Sequence, residues 1–143
     1  MQSLKIRRAS AEDARAIAQL EAKIFPDAWG EGAVLSYIDT SFVAECDGSV
    51  IAYMLTNLIA PEGELYRIAV SEECRRTGIG KALLSYAISS LIERGISDLY
   101  LEVREKNLPA RALYTSLGFR ECGVRRSYYK NPDDNAILMV YNL

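Results

Sequence analysis

The chain has 143 residues and a mass of 15.9 kDa, is 50% hydrophobic and 25% charged, and carries a formal charge of −2 with a pI of about 5.3. That length suits one domain, 1–143, burying roughly two thirds of its unfolded surface, and the balance excludes disordered, collagen-like and broadly nucleic-acid-binding chains. Apolar runs fall short of the ~18 residues a membrane span needs and no signal-peptide core precedes the first strand pattern, so a cytoplasmic chain without a membrane partner is expected.

LKIRR alternates as a strand does, and Ser10 then stands as an N-cap with Asp13 three residues on, an acidic variant of the capping box. The helix that follows carries Ile17, Leu20, Glu21 and Ile24 along one side and ends near Pro26. A second short helix is expected over 31–38, beside Gly30 and Gly32. FVAEC and VIAYMLT are joined by Asp47-Gly48, a strong hairpin signal. Pro61-Glu62-Gly63 predicts a turn, and ELYRIAV over 64–70 the next strand. Across 81–94, Leu84, Ala87, Ile88, Leu91 and Ile92 recur at helical spacing, with Gly95 placed as a C-terminal cap. DLYLEVR reads as a strand, PARALYTSL as a helix capped by Gly118, and FRECGVRRSYY and AILMVYNL as two closing strands. The order predicts an α/β chain of mixed α+β type, a mixed sheet covered by helices, in which 64–70, 81–94 and 98–104 form a right-handed crossover.

Cys46, Cys74 and Cys122 are odd in number and widely spaced, and the chain has no histidine. Free thiols are expected rather than a disulfide framework or a zinc site, and Ser-His-Asp and Cys-His catalysis are excluded. No metal is expected.

The segment Arg75-Arg76-Thr77-Gly78-Ile79-Gly80, between a strand and a helix, gathers main-chain N–H groups at the positive end of a helix dipole. Glycines at 78 and 80 open the backbone to an anion, and Arg75, Arg76 and Lys81 add charge. A plain tight turn would use the same residues. A dinucleotide fingerprint would need glycine at Leu83, and a Walker loop would need four residues between its glycines and Ser or Thr at Ala82.

Arg75-x-x-Gly78-x-Gly80 after a strand resembles the acyl-coenzyme A pyrophosphate loop of the GCN5-related N-acetyltransferases. LEVREKNLPARALYTSLGF over 101–119 is similar to that family's second signature, L-E-V-R-x-x-N-x-x-A-x-x-L-Y-x-x-L-G-F, at every fixed position. With FVAECDGSVIAYML the resemblance covers nearly the whole chain. Within the family, RRSYYKNPDDNAILM and FPDAW are most similar to the ribosomal-protein-alanine N-acetyltransferases of the RimI type. Two positions depart from that group: Asn135, with Asp134 before it, replaces the aspartate ahead of the Ala-Ile-x-Met run, and Gly30 replaces a serine after Trp29. Both fall where the acceptor groove is shaped.

The resemblance implies the acyl-coenzyme A acyltransferase fold, a central twisted mixed sheet of about seven strands flanked by about four helices, with acetyl-CoA as cosubstrate. It implies that Ile68, Ala69, Val70, Arg75, Arg76, Thr77, Gly78, Ile79, Gly80, Lys81, Asn107 and Tyr114 bind the coenzyme. An N–H of Ile68 or Ala69 would polarise the thioester carbonyl while the pantetheine arm adds as a pseudo-strand beside 66–70. It implies Glu102 as general base and Tyr114 as general acid toward the coenzyme A thiolate. The residues alone leave alternatives: Glu102 on the polar face of its strand can pair with Arg104 or make another surface contact, Tyr114 shares a helical face with Ala110, Leu113 and Leu117 as a core aromatic would, and Asn107 can simply cap its helix. A terminal α-amine is roughly 10 to 20% neutral at pH 7 against about 0.04% for lysine, so it asks less of a base. The implied acceptor is the N-terminal peptide of a ribosomal protein. Trp29, Tyr128 and Tyr129 are candidates for its groove, and Glu31, Asp133 and Asp134 for meeting a basic tail. Other readings are an acetyltransferase for small amines or other protein N-termini, and a non-catalytic acyl-CoA-binding module.

Overall fold

At the N-terminal end of the first helical run the Asp13 carboxylate accepts the Ser10 N–H at 2.8 Å, the reciprocal contact expected from the sequence. A 3-10 turn over Ala11–Asp13 leads into the helix. The computed structural model describes residues 3–143. In chain order these form β1 (Leu4–Arg8), α1 (Ala14–Ile24), α2 (Glu31–Ser36), β2 (Phe42–Cys46), β3 (Ser49–Ile59), β4 (Glu62–Val70), α3 (Ile79–Glu93), β5 (Asp98–Arg104), α4 (Leu108–Ser116), β6 (Arg120–Tyr129) and β7 (Asp134–Asn142). The seven strands run β1-β2-β3-β4-β5-β7-β6 in one mixed sheet. β4 and β5 are parallel, whereas β1 with β2, β2 with β3, β5 with β7 and β6 with β7 are antiparallel.

Among the boundaries that differ from the sequence reading, three change a turn or a helix end. Pro61-Glu62-Gly63 is not a turn: the chain turns at 60–61, and Glu62, Gly63 and Glu64 pair with Asp98, Leu99 and Tyr100. Strand pairing here overrides local turn propensity. α3 begins at Ile79 rather than 81, because the Gly78 carbonyl already accepts the Ala82 N–H at 3.0 Å. The second helix stops at Ser36, where Tyr37 leaves helical geometry, and a 3-10 turn over Ile38–Thr40 completes the stretch.

The chain divides into two compact units. The first comprises the described residues through Asn57 together with Leu65–Leu91, and the second Leu58–Glu64 with Ile92–Leu143. In the first, Ala14 and Ile17 of α1 and Val34 of α2 are buried with Val43, Tyr53, Leu55 and Ala69 of the sheet. Tyr53, a polar residue by its hydroxyl, is among the largest fully buried side chains there. In the second, Leu99, Leu101 and Val103 of β5 are buried and alternate with partly exposed Asp98, Tyr100, Glu102 and Arg104. Period-two alternation therefore turns Glu102 to the face opposite the apolar residues of its strand. Among the described residues, no helix is long and apolar enough to cross a membrane.

Candidate active site

In the first unit, β4 ends with Ile68 and Ala69 buried and Val70 half-buried, and the chain then passes through Arg75, Arg76, Thr77 and Gly78 into α3. Arg75 Nε donates to the Val70 carbonyl at 3.1 Å and Thr77 Oγ1 to the Cys74 carbonyl at 2.6 Å, so Arg75 braces the loop onto the strand it leaves and Thr77 ties the loop to the 3-10 turn just before it. Arg76 and Gly78 have left-handed backbones, φ 64° and 80°. A Cβ on Gly78 would meet no heavy atom within 4 Å, which leaves open space on that side. The N–H groups of Ile79, Gly80 and Lys81 precede the first helical bond of α3 and have no carbonyl of their own helix to reach. Such a loop suits a diphosphate. Gly80 is different: its Cβ would meet Val70 Cγ2 at 3.7 Å, an ordinary contact.

In the second unit, Glu102 has a side chain 21% exposed, and its Oε1 lies 3.4 Å from Arg125 Nε of β6. The expected alternative partner, Arg104, is engaged elsewhere. Its guanidinium donates to the carbonyls of Pro132 at 2.7 Å and Lys130 at 3.0 Å and stacks 4.4 Å from the Tyr129 ring centroid. Tyr114 is half-buried, with its ring edge-on to Phe119 at 6.0 Å. On its helical face Ala110 and Leu117 are likewise half-buried while Leu113 is exposed, and α4 buries no residue fully. Asn107 caps α4, its Oδ1 accepting the Ala110 N–H at 3.2 Å. Burial, and then the Glu102 carboxylate, push the Tyr129 phenol up to about 12, with Tyr128 and Tyr114 adding and Arg104 opposing. Glu102 and Tyr114 thus each act electrostatically on Tyr129. Tyr129 is held as a neutral hydroxyl at physiological pH beside a carboxylate and a second phenol, an arrangement able to accept one proton and donate another.

The acceptor candidates divide. Trp29 packs with Tyr37 and Tyr66 at ring separations of 5.6 and 5.3 Å. Tyr128 is exposed, edge-on to Tyr129, with Arg125 5.6 Å from its ring centroid. Glu31 pairs with Arg15 at 3.6 Å on the surface, and Asp133 is exposed. Asp134 is buried instead of lining an acidic groove. Its carboxylate accepts the N–H groups of Lys106 at 3.1 Å and Asn135 at 2.8 Å, which fixes the start of β7 to the turn ahead of α4. Asn135 is tied in the same way, accepting the Ser127 N–H at 2.7 Å and donating to Glu105 at 3.2 Å. Sequence reading placed Glu21 only on a helix side and did not single out Arg67 or Arg125. The signal for Glu21 was a carboxylate on an otherwise apolar helical stripe. The three cysteines are free thiols. Among the described residues, no group of three or more His, Cys, Asp or Glu could hold a metal ion.

Residues 14–119 match the model of the Acetyltransferase (GNAT) family. The chain is 43% identical over 96 residues to a [ribosomal protein bS18]-alanine N-acetyltransferase of Escherichia coli strain K12, a match over 66% of this chain and 65% of that protein. The protein of the same name from Salmonella typhimurium strain LT2 is 35% identical over 138 residues, 92% of each chain. The crystal structure of the ribosomal-protein-S18-alanine N-acetyltransferase from Escherichia coli superposes with a TM-score of 0.87 at 33% identity, over 98% of this chain and 94% of that one. The glycine loop and the β5–α4 residues described above thus belong to a recognised lineage, and this chain is a member of the acetyltransferase (GNAT) family.

Proposed function

We propose that the protein is an acetyl-CoA-dependent N-α-acetyltransferase that modifies the N-terminal alanine of a small-subunit ribosomal protein, S18 being the substrate in the names of its relatives. The observation that carries the reading is Glu102 on the polar face of β5, partly exposed and reached by Arg125 at 3.4 Å, with the Tyr114 phenol half-buried on α4.

Acetyl-CoA would be held through its diphosphate by the N–H groups of Ile79, Gly80 and Lys81, with Arg75, Arg76 and Thr77 shaping the loop. Main-chain groups of 68–70 would align its pantetheine arm and polarise the thioester carbonyl, and Asn107 would touch the coenzyme from the cap of α4. Glu102 takes a proton from the acceptor's α-ammonium, directly or through water. The neutral amine adds to the thioester carbon, the C–S bond breaks as Tyr114 gives its proton to the departing sulfur, and the excess proton on the new amide nitrogen passes back to the Tyr114 phenolate, leaving an amide and coenzyme A while Glu102 releases its proton to water. The thioester is activated already, so this sequence asks for no further catalyst.

Incubation with acetyl-CoA and a short peptide beginning with alanine, followed by mass spectrometry, is expected to show one acetyl group on the α-amine. Polyamines and free amino acids are expected to stay unmodified. Acetylation of the small amines but not the peptide would favour a small-amine enzyme, and tight acetyl-CoA binding without any transfer would favour a binding module.

A further inference from the structure

Glu21 of α1 is wholly buried, and three donors from separate segments converge on its carboxylate. These are the Tyr53 hydroxyl of β3, the Trp29 main-chain N–H at 3.0 Å, and Arg67 Nε of β4 at 3.4 Å. That Nε is buried with no hydrogen bond, so its hold on Glu21 is that of charge on charge. At the other end of the same guanidinium, Nη2 donates to both the carbonyl and Oδ1 of Asp27 at 3.0 Å, and the ring centroid of Phe25 lies 4.2 Å from its central carbon. Phe25, Asp27 and Trp29 are alternate residues of the link between α1 and α2. One ion pair therefore holds all three.

The neighbours of Arg67 on β4 give this a direction. Tyr66 packs its ring on Trp29 at 5.3 Å, and Ile68 is where the thioester is assigned above. A buried carboxylate and guanidinium are costly to desolvate, and replacing such a pair by apolar residues of similar size is often neutral, though here the Tyr53 hydroxyl and the Trp29 N–H would lose their acceptor. What apolar residues do not supply is a fixed hydrogen-bonded height of the link over β4.

We propose that Glu21 and Arg67 are a positioning pair. They set the link 25–30 against the donor-binding strand, and thereby set the place of the acceptor's N-terminus relative to the thioester. This rests on the function proposed above and adds to it two residues that contact neither substrate.

Trp29 is the only tryptophan in the chain, so its fluorescence reports on the link alone. The test compares the wild type with Arg67→Lys, which keeps the charge and loses the planar fork, and with the double variant Glu21→Leu with Arg67→Met, which removes both buried charges together and so avoids the lone buried charge that either single change would leave. In both variants KM for the alanine-initiated peptide is expected to rise about tenfold, with kcat changed by less than about threefold. Acetyl-CoA affinity by calorimetry is expected to stay at the wild-type value, and acrylamide is expected to quench Trp29 more strongly. Wild-type peptide KM and wild-type quenching in the double variant would overturn the proposal. Should the wild type acetylate no peptide, the proposed function fails by itself, and quenching then decides: a rise supports the positioning pair and no change refutes it.

Discussion

Arg125 of β6 reaches past β7 to place its Nε 3.4 Å from Oε1 of Glu102 on β5. The register of β7 allows it, because Glu102 pairs with Leu138 and Arg125 with Ala136, two residues apart on the same face of that strand. The carboxylate assigned to receive an amine's proton therefore already has a cationic neighbour, one that stands where a second cation would approach.

Replacing Glu102 by Gln removes the base and keeps the shape. Turnover is expected to fall by about 10² or more, with acetyl-CoA affinity by calorimetry unchanged. Undiminished turnover would take Glu102 out of the reaction.

Arg125→Ala is expected to act on the acceptor, since an incoming ammonium has to compete with this guanidinium. Arg125 is 55% exposed, so the pair is worth at most ~1 kcal/mol, and the peptide KM is expected to drop by no more than about fivefold. A raised KM in steady-state kinetics would show that Arg125 assists binding rather than opposing it.

Gly78→Val places a branched side chain in the open space beside the loop and forces it into a left-handed backbone, φ 80°. Acetyl-CoA is expected to bind at least about tenfold more weakly by calorimetry, the loss expected when charge-assisted main-chain bonds to an anion are broken. Normal affinity would mean that the diphosphate lies elsewhere.

Acid should unpick the N-terminal end selectively. Arg7, bonded to Asp13 at 2.8 and 2.9 Å, holds that carboxyl below its ordinary value against the effect of burial, and the Ser10 N–H assists. Because the folded value is lowered, the stabilisation is complete above the unfolded pKa near 4 and is lost as pH falls through the folded one. Asp13→Asn is expected to lower the urea midpoint at pH 6, with the gap from the wild type narrowing by pH 3. A gap that does not change with pH would show that the carboxylate's charge contributes nothing.

Local pattern made much of this legible. The alternation in DLYLEVR turns Glu102 to the correct face, Ser10 and Asp13 form their reciprocal cap, and Asp47-Gly48 joins β2 to β3. Contacts between residues distant in sequence stayed hidden. Glu21 reads as one polar member of a helical stripe until Tyr53 and Arg67, 32 and 46 positions away, converge on it. Asp134 reads as part of an exposed acidic run until the Lys106 N–H, 28 positions away, is found bound to it. Arg104 is the natural partner of Glu102 by proximity in sequence, yet it donates to the carbonyls of Lys130 and Pro132. Pairing of this kind is set by strand order, and no period in the sequence states that β7 lies between β5 and β6.

β6 forms one rim of the sheet, and every residue from Arg120 to Tyr128 is exposed. Its register with β7 shifts twice, between Glu121 and Gly123 and again between Arg125 and Tyr129, and Ser127 has a positive φ of 52°. Irregular rims twist out of line and present a poor template for another chain's strand. The segment bearing Arg125, Tyr128 and Tyr129 can thus remain open to a passing peptide's end without inviting copies of itself to stack there into aggregates.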